Sequence, residues 1–182
     1  MNLIATFADA IRPLLTLPFV RQTRRNHALE HATIHLLSKR SRVPMAGRSD
    51  QGGFVLLAEL DTPTVERAVD DALNRLGNGE RALAVHPNCG TNLVTAAFLV
   101  SAAAYVGLLG VKKDKLSRLP MVMSLSMLAL FVARPIGDDL QRHITTDGDP
   151  ADTEVVTITR REVRMPLSDA PITMHRVNLR SS

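Results

Sequence analysis

Two uncharged stretches constrain this chain more than any other feature. Residues 92–110 (NLVTAAFLVSAAAYVGLLG) run for 19 residues without a charged side chain, and residues 119–132 are also uncharged after an interval of only eight. Crossing the hydrocarbon of a bilayer takes roughly 20 apolar residues at helical rise. The pair therefore predicts a transmembrane helical hairpin over residues 91–137, with Arg134 and Asp138 placed to snorkel toward the interface. A buried hairpin inside a soluble helical domain is the competing reading, and two such segments so close together argue against it. Ala96, Ala97, Ser101, Ala102, Ala103 and Ala104 supply small side chains that let two helices approach.

The charge distribution fits the same picture. The net charge is +4, but residues 1–53 carry 8 basic groups against 3 acidic, while residues 54–90 carry 3 against 6. The remaining basic excess lies in the hairpin loop, at Lys112, Lys113, Lys115 and Arg118. A bias of this kind suits a surface facing anionic headgroups. Nucleic-acid binding is not expected, since aromatics make up only 3% of the chain and there is no Trp to stack on bases. Cys89 is the single cysteine, so no internal disulfide can form and nothing marks an oxidising compartment. Residues 1–20 are apolar but contain Asp9, Arg12, Pro13 and Pro18 and lack a basic leader and a cleavage site, which predicts an interfacial amphipathic segment in place of a signal peptide.

Between these landmarks the residues read as a small α+β domain. Residues 26–38 (NHALEHATIHLLS) predict a helix capped by Asn26. Residues 43–53 are rich in turn formers and read as a loop, followed by a strand at 54–60 (FVLLAEL). Asp61 and Pro63 then open a helix in which Val65, Ala68, Val69, Ala72, Leu73 and Leu76 recur at helical spacing. Residues 154–160 and 172–179 have the β-branched content of a hairpin that could pair with the strand at 54. The expected organisation is an interfacial segment (1–20), a soluble domain (21–90), the membrane hairpin (91–137) and a soluble tail (138–182).

The chemistry lies in two short motifs. His27, Glu30 and His31 form H-x-x-E-H on a helix, where the four-residue step sets both imidazoles on one face and lets them grip one metal. Glu30 lies near that face and could accept a proton from water without being a ligand. The second motif, His86-Pro87-Asn88-Cys89-Gly90, offers a third ligand in either His86 or Cys89. His35 continues the stripe but sits about 6 Å further along the helix, too far for easy shared coordination. His143 and His175 lie in polar sequence and are expected to be solvated. Read singly, the histidines could be ordinary polar positions and Cys89 a small buried hydrophobe. Read together, clustered His, Cys and Glu mark a metal site, and a mixed imidazole and thiolate set suits zinc, with iron or cobalt as alternatives.

The motifs NHALEHATIH and HPNCGTN together resemble an uncharacterised bacterial membrane family, catalogued as domain of unknown function 6391, over about residues 21–160. In the two motifs alone the chain is also similar to the YqhQ-like membrane proteins, regarded as metal-dependent enzymes, in which H-G-A-E-H precedes H-P-x-C-G-T beside a transmembrane helix. This chain departs from that second pattern by inserting the strand and helix of residues 54–76 between the motifs. The resemblance implies that His27, Glu30, His31, His86 and Cys89 form one site.

The expectation is a zinc hydrolase held in a bacterial inner membrane, with its soluble part in the cytoplasm and a peptide or membrane protein as substrate. His27, His31 and either His86 or Cys89 would hold the ion, and Glu30 would be the general base. If His86 and Cys89 both coordinate, four protein ligands close the shell. The protein would then be a non-catalytic membrane protein with a structural or sensory metal site.

Overall fold

The computed structural model describes residues 2–110, 115–164 and 171–180. Lys112 and Lys113 of the expected hairpin loop lie outside these residues. In chain order the elements are α1 (Leu3–Ala10), α2 (Arg12–Leu15), α3 (Pro18–Arg40), β1 (Ala46–Asp50), β2 (Gly53–Leu57), α4 (Thr62–Gly77), a 3-10 turn (Arg81–Ala84) and α5 (Gly90–Leu108). There follow a second 3-10 turn (Lys115–Arg118), α6 (Leu119–Leu140), a π-helical turn (Gln141–Thr145), β3 (Glu154–Arg164) and β4 (Pro171–Arg180). The fold is α+β and divides into two units, one built from the segments up to His86 and from Arg142 onward, the other from Pro87–Gln141.

In the first unit an antiparallel sheet of order β1-β2-β4-β3 packs against α3 and α4. Period-two alternation decides which side chains face the helices. Phe54 stands opposite Val177 and Leu56 opposite His175, all four fully buried. They meet Ala28, Leu29, Ala32 and Leu37 of α3 and Val65, Ala68, Val69 and Ala72 of α4. α4 starts as its sequence predicts: the Asp61 carboxylate accepts from the Thr64 amide at 2.8 Å and Pro63 occupies the first turn.

Three expectations change here. The helix expected at 26–38 runs for 23 residues from Pro18 to Arg40, because Pro18 supplies the favoured helix start and the following basic residues are good helix formers. Asn26 is therefore not a cap. It sits buried within α3, where its amide donates to the carbonyls of Asp50 at 2.8 Å and Gln51 at 3.1 Å and so holds the β1–β2 turn. The stretch read as a loop at 43–53 contains β1, whose composition has little β preference and whose pairing is set by the tight turn at Gln51 and Gly52. Gly53 ends that turn with φ +139°, and a Cβ built there would overlap the Val177 carbonyl oxygen, so no side chain fits. Finally, His175 is buried, not solvated, because the alternation of β4 puts positions 173, 175, 177 and 179 on the core side; its Nε2 donates to the Leu60 carbonyl at 3.1 Å.

In the second unit α5 (19 residues) and α6 (22 residues) form a helical hairpin. Both are long and apolar enough to cross a membrane. Of the small residues expected between them, the helical period leaves Ala97, Ser101 and Ala102 outside. Thr95 and Gly107 are buried along α5, with Ala129, Ala133 and Gly137 buried along α6. A Cβ on Gly107 would come within 2.8 Å of Val122, so the helices cross closely there. At the other end Asn92 donates to the Asp138 carboxylate and to the Pro87 carbonyl, both at 3.0 Å, and accepts from Gln141 at 3.0 Å.

On the outer face of the sheet Arg176 of β4 reaches across β2 to bind the Asp50 carboxylate through both terminal nitrogens, one contact being 2.8 Å. That hydrogen bond holds the Asp50 carboxyl below its ordinary range. A depressed folded-state value contributes stability above the unfolded-state value and loses it as pH falls through the folded-state one. Because the pair is largely exposed, Asp50→Asn should cost about 1 kcal/mol or less near neutrality. Thermal melts of the two proteins should converge as the pH drops below the Asp50 titration.

Candidate metal centre

α3 carries the first motif through the centre of its unit. The four-residue step from His27 to His31 brings their rings to a centroid separation of 4.2 Å. Their potential ligand nitrogens lie within 4.8 Å of one another. Each ring is oriented through its Nδ1. For His27 the partner is the Thr145 carbonyl of the π turn at 3.0 Å, and for His31 the Ala84 carbonyl of the 3-10 turn at 2.7 Å. A carbonyl can only accept, so both Nδ1 atoms carry the proton and both Nε2 atoms carry a lone pair. A backbone carbonyl behind the ring is the arrangement that fixes tautomer and direction in metal-ligating histidines.

His86 joins this cluster, 5.7 Å from the His31 ring and 4.8 Å edge-on from the His35 ring. Burial, with His35 and His31 beside it, pushes the His86 imidazole down to about 4, so it is neutral at physiological pH and able to donate a lone pair. His35 itself bonds through Nε2 to the Val85 carbonyl at 2.8 Å, a contact that steadies the chain just before His86. His143 is half-buried in the π turn.

Glu30 is buried beside the histidines. Burial raises its carboxyl above the usual range, while the Ser49 hydroxyl, which donates to Oε2, and the nearby His27 pull in the opposite direction. Gly47, two residues before Ser49 on the same face of β1, leans against the carboxyl group: a Cβ there would come within 2.9 Å of Glu30 Cγ and overlap Oε1. Only glycine allows that approach.

His27, Glu30, His31 and His86 thus come together in the first unit. Cys89 belongs to the second, where it is buried and its sulfur accepts from the Thr91 amide at 3.4 Å as the cap of α5. The sequence reading did not single out Ser49, Gly47, Thr145 or Arg24. Arg24 donates to the carbonyls of Ile144 at 2.6 Å, Thr146 at 2.9 Å and His143 at 3.3 Å, and so pins the π turn whose Thr145 carbonyl orients His27. The positions of Gly47 and Ser49, two apart and both toward Glu30, become a signal only once β1 is recognised as a strand.

The donor set is chemically suited to zinc: two imidazoles oriented by main-chain carbonyls on one helical face, a third imidazole beside them, and a buried carboxyl group.

Comparison with known proteins places the chain. The family described as domain of unknown function (DUF6391) matches residues 22–158. An uncharacterized protein of Picosynechococcus sp. (strain ATCC 27264 / PCC 7002 / PR-6) is 36% identical over 157 residues, covering 80% of this chain and 74% of that protein. No solved structure matches. With three quarters of its length inside the family match, the chain belongs to the DUF6391 family.

Proposed function

We propose that this protein is a membrane-anchored, zinc-dependent hydrolase that cleaves peptide bonds near the bilayer surface. The observation that carries the reading is the pair His27 and His31, one helical turn apart, each donating Nδ1–H to a main-chain carbonyl. Core histidines need one such partner; two on one face, beside a buried carboxylate, suit ligands to a shared ion. A bound zinc ion supplies Lewis acidity for activating water and polarising a carbonyl. His27 and His31 hold it, and His86 or Cys89 is the third ligand. Cys89 is three residues beyond His86, so covalent connectivity alone keeps their Cα atoms within about 11 Å.

Glu30 is the proton acceptor. Its raised affinity for protons suits a general base working near neutrality, and Ser49 fixes the rotamer. If His86 and Cys89 both bind, the shell closes at four ligands and the site is structural or sensory. A ligand count by X-ray absorption spectroscopy separates the two.

The membrane part of the proposal rests on the surface of α5 and α6. Leu93 is 74% exposed, Phe98 71% and Phe131 75%, whereas the core helix of a soluble protein would bury such side chains. Because β2 precedes the hairpin and β4 follows it in one sheet, the flanking segments share one side, as two crossings require. We place that side in the cytoplasm of a bacterial inner membrane. The basic stretch of residues 21–48 and the reduced state that a thiolate ligand prefers outweigh Lys112, Lys113, Lys115 and Arg118 in the far loop.

His27→Ala and His31→Ala should each abolish stoichiometric metal, whereas Glu30→Gln should retain it and lose at least about 100-fold in peptide hydrolysis. Metal loss in Glu30→Gln would make Glu30 a ligand and overturn its role as base. The protein should also resist extraction by high salt and alkali, and a Ser117→Cys probe should react with an impermeant maleimide only from outside. Recovery in the soluble fraction, or labelling from the cytoplasm alone, would refute the anchoring or the orientation respectively.

A further inference from the structure

The N-terminal segment encloses a second candidate site within the first unit. α1, α2 and the start of α3 form one wall of a cleft of about 590 Å³, and the π turn with the residues just after it forms the other. Its lining brings Arg12, Arg21, Arg24 and Arg142 to one concavity, against only Asp9 and Asp147. Arg21 lies 4.0 Å from Asp147, and the Arg24 guanidinium is committed to carbonyls of the π turn and to Leu15. Arg12 and Arg142 are exposed at the rim. The lining is therefore cationic by two charges.

The opposite side of the same segment is apolar and exposed, through Leu3, Phe7, Leu14, Leu17 and Phe19. Helical spacing separates the sides: Ala5, Ala8, Asp9 and Arg12 face the cleft, while Leu3, Phe7 and Leu14 face away. An amphipathic segment of this kind settles with its apolar side about 5–10 Å into the boundary between headgroups and acyl chains. Its polar side, the cleft wall, then lies at the depth of the lipid phosphates.

We propose that the cleft is a binding site for the phosphate headgroup of an anionic phospholipid, with Arg12 and Arg142 as its principal contacts. Planar guanidinium groups match phosphate oxygens in pairs, and the apolar ridge supplies the depth that a free anion would not need. The inference rests on the reading of the chain as a membrane protein but is separable from the metal site.

The test uses the full chain in non-ionic detergent micelles doped with phosphatidylglycerol or phosphatidylcholine, read by lipid retention in native mass spectrometry and by the thermal unfolding midpoint. Phosphatidylglycerol should be retained and should raise the midpoint, and phosphatidylcholine should do neither. Arg12→Gln and Arg142→Gln should each weaken phosphatidylglycerol binding about fivefold, and the double variant about 25-fold. Arg12→Lys should recover part of the loss, and circular dichroism and zinc content should stay unchanged in all of them. Equal binding of the two lipids, or undiminished binding by the double variant, would overturn the proposal even in a protein that remains membrane-bound. Full displacement of the lipid by millimolar inorganic phosphate would overturn it in favour of a free-anion site.

Discussion

The pairing of β2 with β4 is the contact on which the first unit depends. It joins residues 53–57 to residues 174–178, more than a hundred positions apart along the chain. Closing a loop of that length costs entropy, but the cost rises only slowly with length, and the burial of Phe54, Leu56, Val177 and Leu179 against α3 and α4 offsets it. Once the strands pair, the segment after the second unit is fixed beside the first. The π turn can then offer its Thr145 carbonyl to His27, and Arg24 can hold that turn through three neighbouring carbonyls. Long-range sheet formation thus comes before local chemistry.

The candidate site places opposing demands on a few groups. Glu30 is buried where ionisation is costly, and Ser49 and His27 restore part of what burial takes away. His86 is kept neutral by the same burial and by the imidazoles around it. Such arrangements cost stability that an apolar pocket of the same size would not. The bare backbone of Gly47 against the carboxyl group has the same character, since it leaves Glu30 room that a side chain would take.

Features governed by local rules were legible in the sequence. The start of α4 follows from Asp61 and Pro63, its buried face from the spacing of Val65, Ala68, Val69 and Ala72, and the two apolar helices from their lack of charge. The strand pair near the C-terminus, and its pairing with the strand at 54, could be read from β-branched content. What escaped was set by distant partners. β1 has the composition of a loop and becomes a strand because β2 lies beside it. Asn26 has the identity of a cap but serves a turn 24 residues away. His175 looks solvated in its polar neighbourhood and is buried because strand alternation overrides neighbourhood. The histidines and Glu30 were visible as a motif, whereas the groups that aim them, Thr145, Ala84 and Ser49, are unremarkable residues placed by the fold.

The split construction of the first unit also bears on when the protein acquires its chemistry during synthesis. The helix bearing His27, Glu30 and His31 leaves the ribosome together with β1 and β2, well before β4 is made. Until then Phe54 and Leu56 lack their β4 partners Val177 and His175, and until Thr145 is made His27 lacks the carbonyl that orients it. Both apolar helices are translated in that interval. A chain that stalls there, or is cut short before residue 171, carries the whole H-x-x-E-H motif yet cannot complete the sheet behind it. Under the function proposed above, this order of assembly would keep a half-made chain inert while it is still among other nascent polypeptides.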